Sequence, residues 1–140
     1  MKEAGAGVGE ERERHRQIIH EMRDEYWPLF LSSPEGVIIF LDEEHKVASE
    51  RAASLFGYRQ IDFDELLPFF NRIIAPESLL SFESDYYEKI IGDRIPTRLE
   101  VAALRRKGVG VEKFRARFVM VPISHWEEDL IFTLSFVREI

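Results

Sequence analysis

Alternation of apolar and polar residues in the last third of the chain is the feature that most restricts its fold. The clearest segment has apolar residues at every second position, Phe114, Ala116, Phe118 and Met120, and they alternate up to Phe118 with the basic residues Lys113, Arg115 and Arg117. A repeat of two residues is typical of a strand with one buried face. Residues 98–105 and 130–136 alternate in a similar way, and 107–110 has the composition of a hairpin connection. The pattern predicts three long strands.

The N-terminal region instead repeats with the spacing of three and four residues that places side chains on one face of a helix. A leader helix is predicted over residues 10–31, with Pro28 kinking or ending it near Tyr26. Its apolar stripe is Ile18, Met22 and Leu29, with Ile19, Tyr26 and Phe30 beside it. The other face carries mixed charges, which indicates a solvated surface. Residues 1–9 are rich in glycine and alanine and are predicted to be disordered.

Short strands and helices are predicted in the middle of the chain. Apolar residues at 37–41 and a second run at 45–48 indicate a hairpin around the polar turn 42–44. Ser49 and Gly57 stand where a helix N-cap and a C-cap glycine belong. A further short helix, interrupted by Pro68, is predicted over 64–70. Pro76 opens a longer helix that runs to Ile91. Helices inserted between antiparallel strands predict one α+β domain over residues 32–140.

Composition excludes several classes of protein. The 140 residues, 45% of them apolar, suffice for one domain with its own core. The chain has no cysteine, which excludes disulfides, thiolate nucleophiles, cysteine-ligated zinc and cofactors tethered through a thiol. No apolar run approaches the roughly 20 residues that span a bilayer, and residues 1–9 do not have the apolar core of a signal peptide. A soluble protein of the cytoplasm is therefore expected.

Four segments, in order and with compatible spacing, resemble the PAS domain family. Residues 33–42 (SPEGVIIFLD) are similar to the family's opening turn and first strand. Residues 49–58 (SERAASLFGY) resemble its Asn-x-Ala-Ala-x-x-Leu-Phe-Gly-Tyr helix, with Ser49 in place of Asn. Residues 105–108 (RRKG) lack the Asp of the usual Arg-Arg-Lys-Asp-Gly, and 136–140 (FVREI) has Glu139 where Asp is common.

The resemblance implies an antiparallel sheet of five strands in the order 2-1-5-4-3. Helices would cover one face and enclose a small cavity, while the leader helix would pack on the other face or pair with a second copy. A PAS domain is expected to bind a small ligand or a partner and to pass the change to an effector domain or protein. Its role would be sensory or regulatory, without catalysis.

The faces of the predicted helices and strands give the expected lining of a ligand pocket: Phe56, Phe82, Tyr86, Ile90, Phe118 and Phe132. The alternative is a module without a ligand that forms homodimers through Ile18, Met22 and Leu29 of the leader helix. A cavity that holds a ligand would favour the sensor. A filled core with a paired leader helix would favour the dimerisation module.

Cofactor and metal binding receive little support from the sequence. Without cysteine, the photo-adduct of a light-sensing flavin domain cannot form, and a non-covalent flavin is not favoured. Residues 77–91 contain no histidine for haem, and Tyr86 and Tyr87, which could ligate ferric iron, are expected to pack in the core. The histidines lack zinc-ligand spacing and are expected on the surface, so no metal site is predicted: His15, His20, His45 and His125.

Catalysis and nucleic-acid binding are not favoured either. The carboxylates of Glu43, Glu44 and residues 62–65 fit turns and helix starts. An enzyme would need a deep pocket with a perturbed carboxylate, such as Asp85 or Glu88 turned inward. The net charge is −7, although the basic residues of 105–117 could form a positive stripe for an acidic partner or nucleic acid. Cross-strand pairing of these residues with acids such as Glu100 is the preferred interpretation.

Overall fold

A computed structural model describes residues 4–125 and 129–140 of the chain. Its centre is a five-stranded antiparallel sheet made of β1 (Gly36–Asp42), β2 (His45–Ala48), β3 (Thr97–Lys107), β4 (Gly110–Ser124) and β5 (Ile131–Glu139). The strands lie in the order β2-β1-β5-β4-β3, which confirms the predicted topology. The last strand is central, since Phe136 of β5 pairs with Val37 of β1 on one side and with Val119 of β4 on the other.

The leader region forms two helices, α1 (Ala4–Glu25) and α2 (Trp27–Ser32). The predicted interruption near Tyr26 is confirmed, because Pro28 has no N–H with which to continue α1. Helix α1 begins at Ala4 and not at Glu10, so residues 4–9 are helical where disorder was predicted. Alanine favours the helix, and extending an existing helix costs less than nucleating one.

Five helical segments connect β2 to β3. They are α3 (Glu50–Leu55), α4 (Gln60–Asp64), α5 (Phe70–Ile73), α6 (Pro76–Asp85) and α7 (Tyr86–Gly92), of which α7 is π-helical. The helix predicted to start at Pro76 is confirmed as α6 continuing into α7. The helix predicted over 64–70 was placed wrongly, because residues 65–69 separate α4 from α5. Pro68 cannot occupy a helix interior without loss of a backbone hydrogen bond.

Both ends of α3 are fixed by contacts with the sheet. The Ser49 hydroxyl accepts the N–H of Ala52 at 3.2 Å, which caps α3, and the N–H of Val37 at 3.0 Å. Gly57 follows α3 with φ of +83°, and a Cβ atom there would lie 2.1 Å from the carbonyl oxygen of Arg106. Only glycine fits this approach, so α3 ends directly against β3.

Two hydrophobic cores lie on opposite faces of the sheet. The first lies between the sheet and α3–α7, and the second lies between the sheet and the leader helices α1 and α2. Strand β1 contributes Ile38 and Phe40 to the first core, and Val37 and Ile39 to the second. Burial of both faces explains why β1 is a continuous apolar run. The leader helix thus covers the second sheet face, as predicted.

Candidate functional site

A cavity of about 20 Å³ lies between the sheet and helices α5–α7. This volume is enough for about one water molecule. The wall is mainly aromatic and aliphatic, with three hydroxyl-bearing residues: Ile38, Phe40, Phe69, Phe70, Ile73, Phe82, Tyr86, Phe118, Met120, Thr133 and Ser135. A ligand larger than water therefore has to displace wall side chains.

Stacked and edge-on rings form most of the cavity wall. The ring of Phe70 lies 5.1 Å from that of Phe40 and 5.1 Å from that of Phe82, and Tyr86 lies 5.6 Å away, centroid to centroid. Such pairs stabilise by about 0.5–1.5 kcal/mol each beyond their buried area. Phe70 also lies 5.9 Å from the ring of Phe69, so it contacts four rings of the wall and its movement would change the shape of the cavity.

Two hydroxyl groups make one side of the cavity polar. Burial raises the pKa of Tyr86, an effect that the nearby Thr133 hydroxyl partly opposes, so the phenol stays neutral and remains a donor. Its oxygen lies 3.5 Å from the carbonyl oxygen of Leu41, which is a long contact. Thr133 is only 1% exposed, and its Oγ1, although close enough to the Tyr86 phenol to affect the pKa of that group, makes no hydrogen bond of good geometry within the described part of the chain. The cavity can therefore offer hydrogen bonds to a water molecule or to a polar group of a ligand.

The structure divides the predicted pocket residues into three groups. Phe82, Tyr86 and Phe118 line the cavity. Phe56 and Ile90 belong to the core between the sheet and α3–α7, but they do not line the cavity. Phe132 was assigned wrongly, because it lies on the opposite face of the sheet, in the core beneath the leader helix.

The register of β5 explains the error at Phe132. The polar residues Thr133 and Ser135 point to the cavity, while Phe132 and Leu134 point to the leader helix. The sequence interpretation assumed that the larger apolar side chains would face the core under α3–α7. Both faces of β5 are buried, and the smaller hydroxyl-bearing residues occupy the cavity side.

The residues predicted to form a dimer seam are used within the chain. Ile18 and Met22 are buried against β1, β2 and β5, and Leu29 packs at the edge of the same core. Ile18 and Met22 are therefore unavailable to a second copy while α1 is docked. Homodimerisation through the leader helix stays a prediction.

A polar cluster joins the leader helix to the β1–β2 turn. Nδ1 of His45 lies 2.8 Å from Oδ1 of Asp42, and the rings of His45 and His15 meet edge-on with centroids 5.6 Å apart. His45 is 8% exposed, so the expectation that all histidines lie on the surface was wrong for this residue. Spacing rules missed the pair because His15 and His45 come from different elements.

A wide groove of about 1170 Å³ runs between α1, β2 and α4. Burial lowers the pKa of Lys46 to about 8 and raises that of Asp64 to about 6. Asp64 accepts the N–H of Ala48 at 3.0 Å, and Lys46 Nζ donates to the Glu43 carbonyl oxygen at 2.6 Å. These contacts tie α4 and the β1–β2 turn to β2. Asp64 is the last residue of α4 and accepts a β2 amide, so it does not lie in a first helical turn as predicted.

Asp85 and Glu88, the two acids named as examples of inward-facing carboxylates, lie outside the cavity. Asp85 is 3.5 Å from Lys89 Nζ, and Glu88 is exposed beside Ser84. Neither lines the cavity.

Cross-strand pairing is confirmed for part of the basic stripe, namely Arg105, Lys107 and Arg115, whereas Lys113 pairs with Glu77 of α6. Arg105 contacts Glu112 at 3.2 Å and Glu139 at 2.6 Å, and Arg115 lies 3.6 Å from Glu100. The absence of nucleic-acid binding stays a prediction.

The arrangement of the sheet and its helices is that of the PAS fold. A PAS domain from Colwellia psychrerythraea has a TM-score of 0.64 and 15% identity, over 87% of this chain and 97% of that one. A PAS domain from the fruit-fly ELK potassium channel has a TM-score of 0.63 and 18% identity, over 84% of this chain and 95% of that one. A PAS domain from a two-component sensor histidine kinase has a TM-score of 0.59 and 14% identity, over 86% of this chain and 99% of that one.

The chain therefore has the fold of a PAS domain, which confirms the resemblance seen in its four sequence segments. No protein-family model matches the sequence, and the search of curated proteins gives no match. Within residues 4–125 and 129–140, no helix combines the length and apolar character needed to cross a bilayer.

Proposed function

We propose that the chain is a sensory or regulatory module of a signalling protein, which couples its aromatic cavity to its leader helix. The supporting observation is the position of β5. Thr133 and Ser135 of this strand line the cavity, and Phe132 and Leu134 pack beneath α1. A rearrangement at the cavity that displaces β5 would therefore change the surface on which the leader helix rests.

The polar side of the cavity supports a signal that arrives as a small ligand. The unpartnered Thr133 hydroxyl and the neutral Tyr86 phenol are suited to a compact polar molecule. Such a molecule would have to move the ring of Phe70 or Phe82 to enter. A ligand that stabilises the opened arrangement would shift the population of the two states, as a sensor requires.

A module without a ligand is the second candidate, and the filled core supports it. A cavity of about 20 Å³ leaves little room for a bound molecule. Contact with a partner or a second copy would then use exposed residues of the leader region, such as Trp27 at 42% and Leu31 at 70% exposure on α2. The effector, the cytoplasmic location and the absence of catalysis are parts of the same proposal.

The coupling is tested by filling the cavity and observing the leader helix. Ser135→Leu adds two heavy atoms on the cavity side of β5, and overpacking of this kind costs about 1–3 kcal/mol. We expect faster amide hydrogen exchange in residues 10–25, which the substituted side chain does not face. Ser81→Leu adds the same atoms at an exposed position of α6 and should leave that exchange unchanged.

Equal exchange of α1 in the Ser135→Leu variant and the wild type would contradict the coupling. Native mass spectrometry beside the denatured mass then separates the two candidates. A non-covalent adduct on the monomer mass supports the sensor, and a bare dimer mass supports the interaction module.

A further inference from the structure

We propose that His15, Asp42 and His45 form a binding site for a divalent transition-metal ion, which fastens the leader helix to the β1–β2 turn. One ligand atom from each of the three side chains lies within 4.8 Å of the others. Asp42 ends β1 and His45 begins β2, so the turn brings these two together. His15 approaches them from α1.

Two of the ligands are already held in place by the turn. Oδ1 of Asp42 accepts the N–H of Glu44 at 2.9 Å and the N–H of His45 at 2.8 Å. The same oxygen lies 2.8 Å from Nδ1 of His45. The backbone therefore orients the carboxylate, and the carboxylate orients the imidazole, before any ion binds, which lowers the entropic cost of forming a site.

The distances require only a small closure. Tetrahedral zinc with bonds of about 2.0–2.1 Å places its ligand atoms roughly 3.3–3.4 Å apart. The widest separation in the cluster, at most 4.8 Å, thus has to shorten by about 1.5 Å. Rotation of the His15 side chain on α1 would bring its ring closer. The Asp42–His45 hydrogen bond of 2.8 Å has to lengthen or break, because a ring nitrogen that donates to the carboxylate cannot ligate the ion at the same time.

The ligand set favours zinc-like ions over magnesium or calcium. Two imidazoles and one carboxylate suit zinc, nickel or cobalt, whereas magnesium and calcium prefer oxygen ligands throughout. The side chain of Asp42 is 49% exposed, which leaves one side of the site open to water. Oε1 of Glu11 lies 3.8 Å from Nε2 of His15 and is a candidate fourth ligand.

Metal binding at this position would act on the contact between α1 and the sheet. The polar cluster lies at the hairpin side of α1, and the apolar contacts of Ile18 and Met22 follow along the same helix. An ion bound by both His15 and the turn would link α1 to the sheet in addition to the apolar contacts of Ile18 and Met22, and it would oppose undocking of α1. The regulatory meaning of this attachment rests on the proposed function, but the site itself does not.

Zinc titration of the full chain, purified without a histidine tag and freed of metal with a chelator, tests the site. We expect one equivalent of zinc to bind with a micromolar or tighter Kd. His15→Ala should weaken binding by at least about 10-fold. His20→Ala is the matched control, because His20 is exposed on the same helix, about 140° around the axis from His15.

Two further measurements follow the consequence of binding. Zinc at about 100 times its Kd should raise Tm by about 5–15 °C in the wild type and in His20→Ala. It should also slow amide hydrogen exchange in residues 10–25, and magnesium should do neither. Asp42→Asn, which can still accept the turn hydrogen bonds, should weaken zinc binding in a chain that folds.

Failure of wild-type binding to saturate in the micromolar range would overturn the metal site. Equal zinc affinity of His15→Ala and His20→Ala would also overturn it. Zinc binding without slower exchange in α1 would overturn the fastening role. None of these results depends on the cavity variants, so the metal site and the coupling through β5 can fail separately.

Discussion

Truncation of Met22 to alanine should loosen the leader helix without unfolding the domain. Met22 is 4% exposed and packs in the core formed by α1 with β1, β2 and β5. Methionine-to-alanine changes in buried sites cost about 2–5 kcal/mol, and a site between one helix and a sheet can partly close around the gap. We therefore expect about 2–3 kcal/mol.

This loss of free energy first weakens the docking of α1 on the sheet. At 1.4 kcal/mol for each factor of ten, it corresponds to a roughly 30- to 150-fold faster exchange of amides that open when α1 undocks. Hydrogen exchange followed by mass spectrometry should show this increase in residues 10–25 and a much smaller one in β4. Gln17→Ala is the control, because Gln17 is exposed on the same helix and alanine favours the helical backbone.

Two results would refute this reasoning. One is an α1 exchange rate within about threefold of the wild type, since the burial of Met22 would then contribute little to docking. The other is a dimeric wild type that becomes monomeric in Met22→Ala by light scattering. That outcome would place Met22 between two copies of the chain and support the predicted homodimer through the leader helix.

Three further substitutions test other parts of the structure. Gly57→Ala should lower the free energy of unfolding by at least about 2 kcal/mol in urea, because its φ is positive and the carbonyl oxygen of Arg106 blocks a Cβ. Gly108→Ala, also at positive φ but with open space around it, should cost less, and equal losses would contradict the steric explanation. Burial raises the pKa of Asp64 to about 6, whereas the unfolded chain releases this proton near pH 4. Between pH 4 and 6 the folded state therefore holds this proton more often than the unfolded chain does. The contribution of Asp64 to the free energy of unfolding is complete below about pH 4 and is lost as the pH rises through about 6. Asp64→Asn should remove this pH dependence. The same slope of unfolding free energy against pH between 4 and 6 in the variant and the wild type would contradict the raised pKa of Asp64. Thr133→Val should leave stability unchanged or raise it by about 1 kcal/mol, since it removes a buried hydroxyl without a partner. A loss above about 1 kcal/mol would show that the hydroxyl is satisfied, by the Tyr86 phenol or by a bound water.

The strand order was predictable because two independent signals agreed. Alternation located the three long strands, and the four PAS-like segments fixed how they connect. The leader helix was predictable from its apolar stripe, since Ile18 and Met22 need a surface to cover and β1 and β5 offer one. Local patterns of this kind follow directly from the periods of helix and strand.

The details of the site depended on contacts between distant segments. Phe132 was misplaced because alternation does not say which core each face of a strand meets when both are buried. His15 and His45 approach each other only after α1 has docked on the hairpin, and spacing along the chain does not report such a contact. The small cavity volume is set by how Phe70 and its neighbours pack, which residue types alone do not determine.

The burial of β5 on both faces also limits how the chain can change by mutation. Deleting or inserting one residue inside β5 would exchange its two faces. Thr133 and Ser135 would then lie under the leader helix, and Phe132 and Leu134 would be forced toward a cavity of about 20 Å³. Length changes in the sequence of relatives should therefore collect in the segment between β4 and β5, while β5 itself should keep a constant length and its pattern of hydroxyl-bearing and large apolar residues.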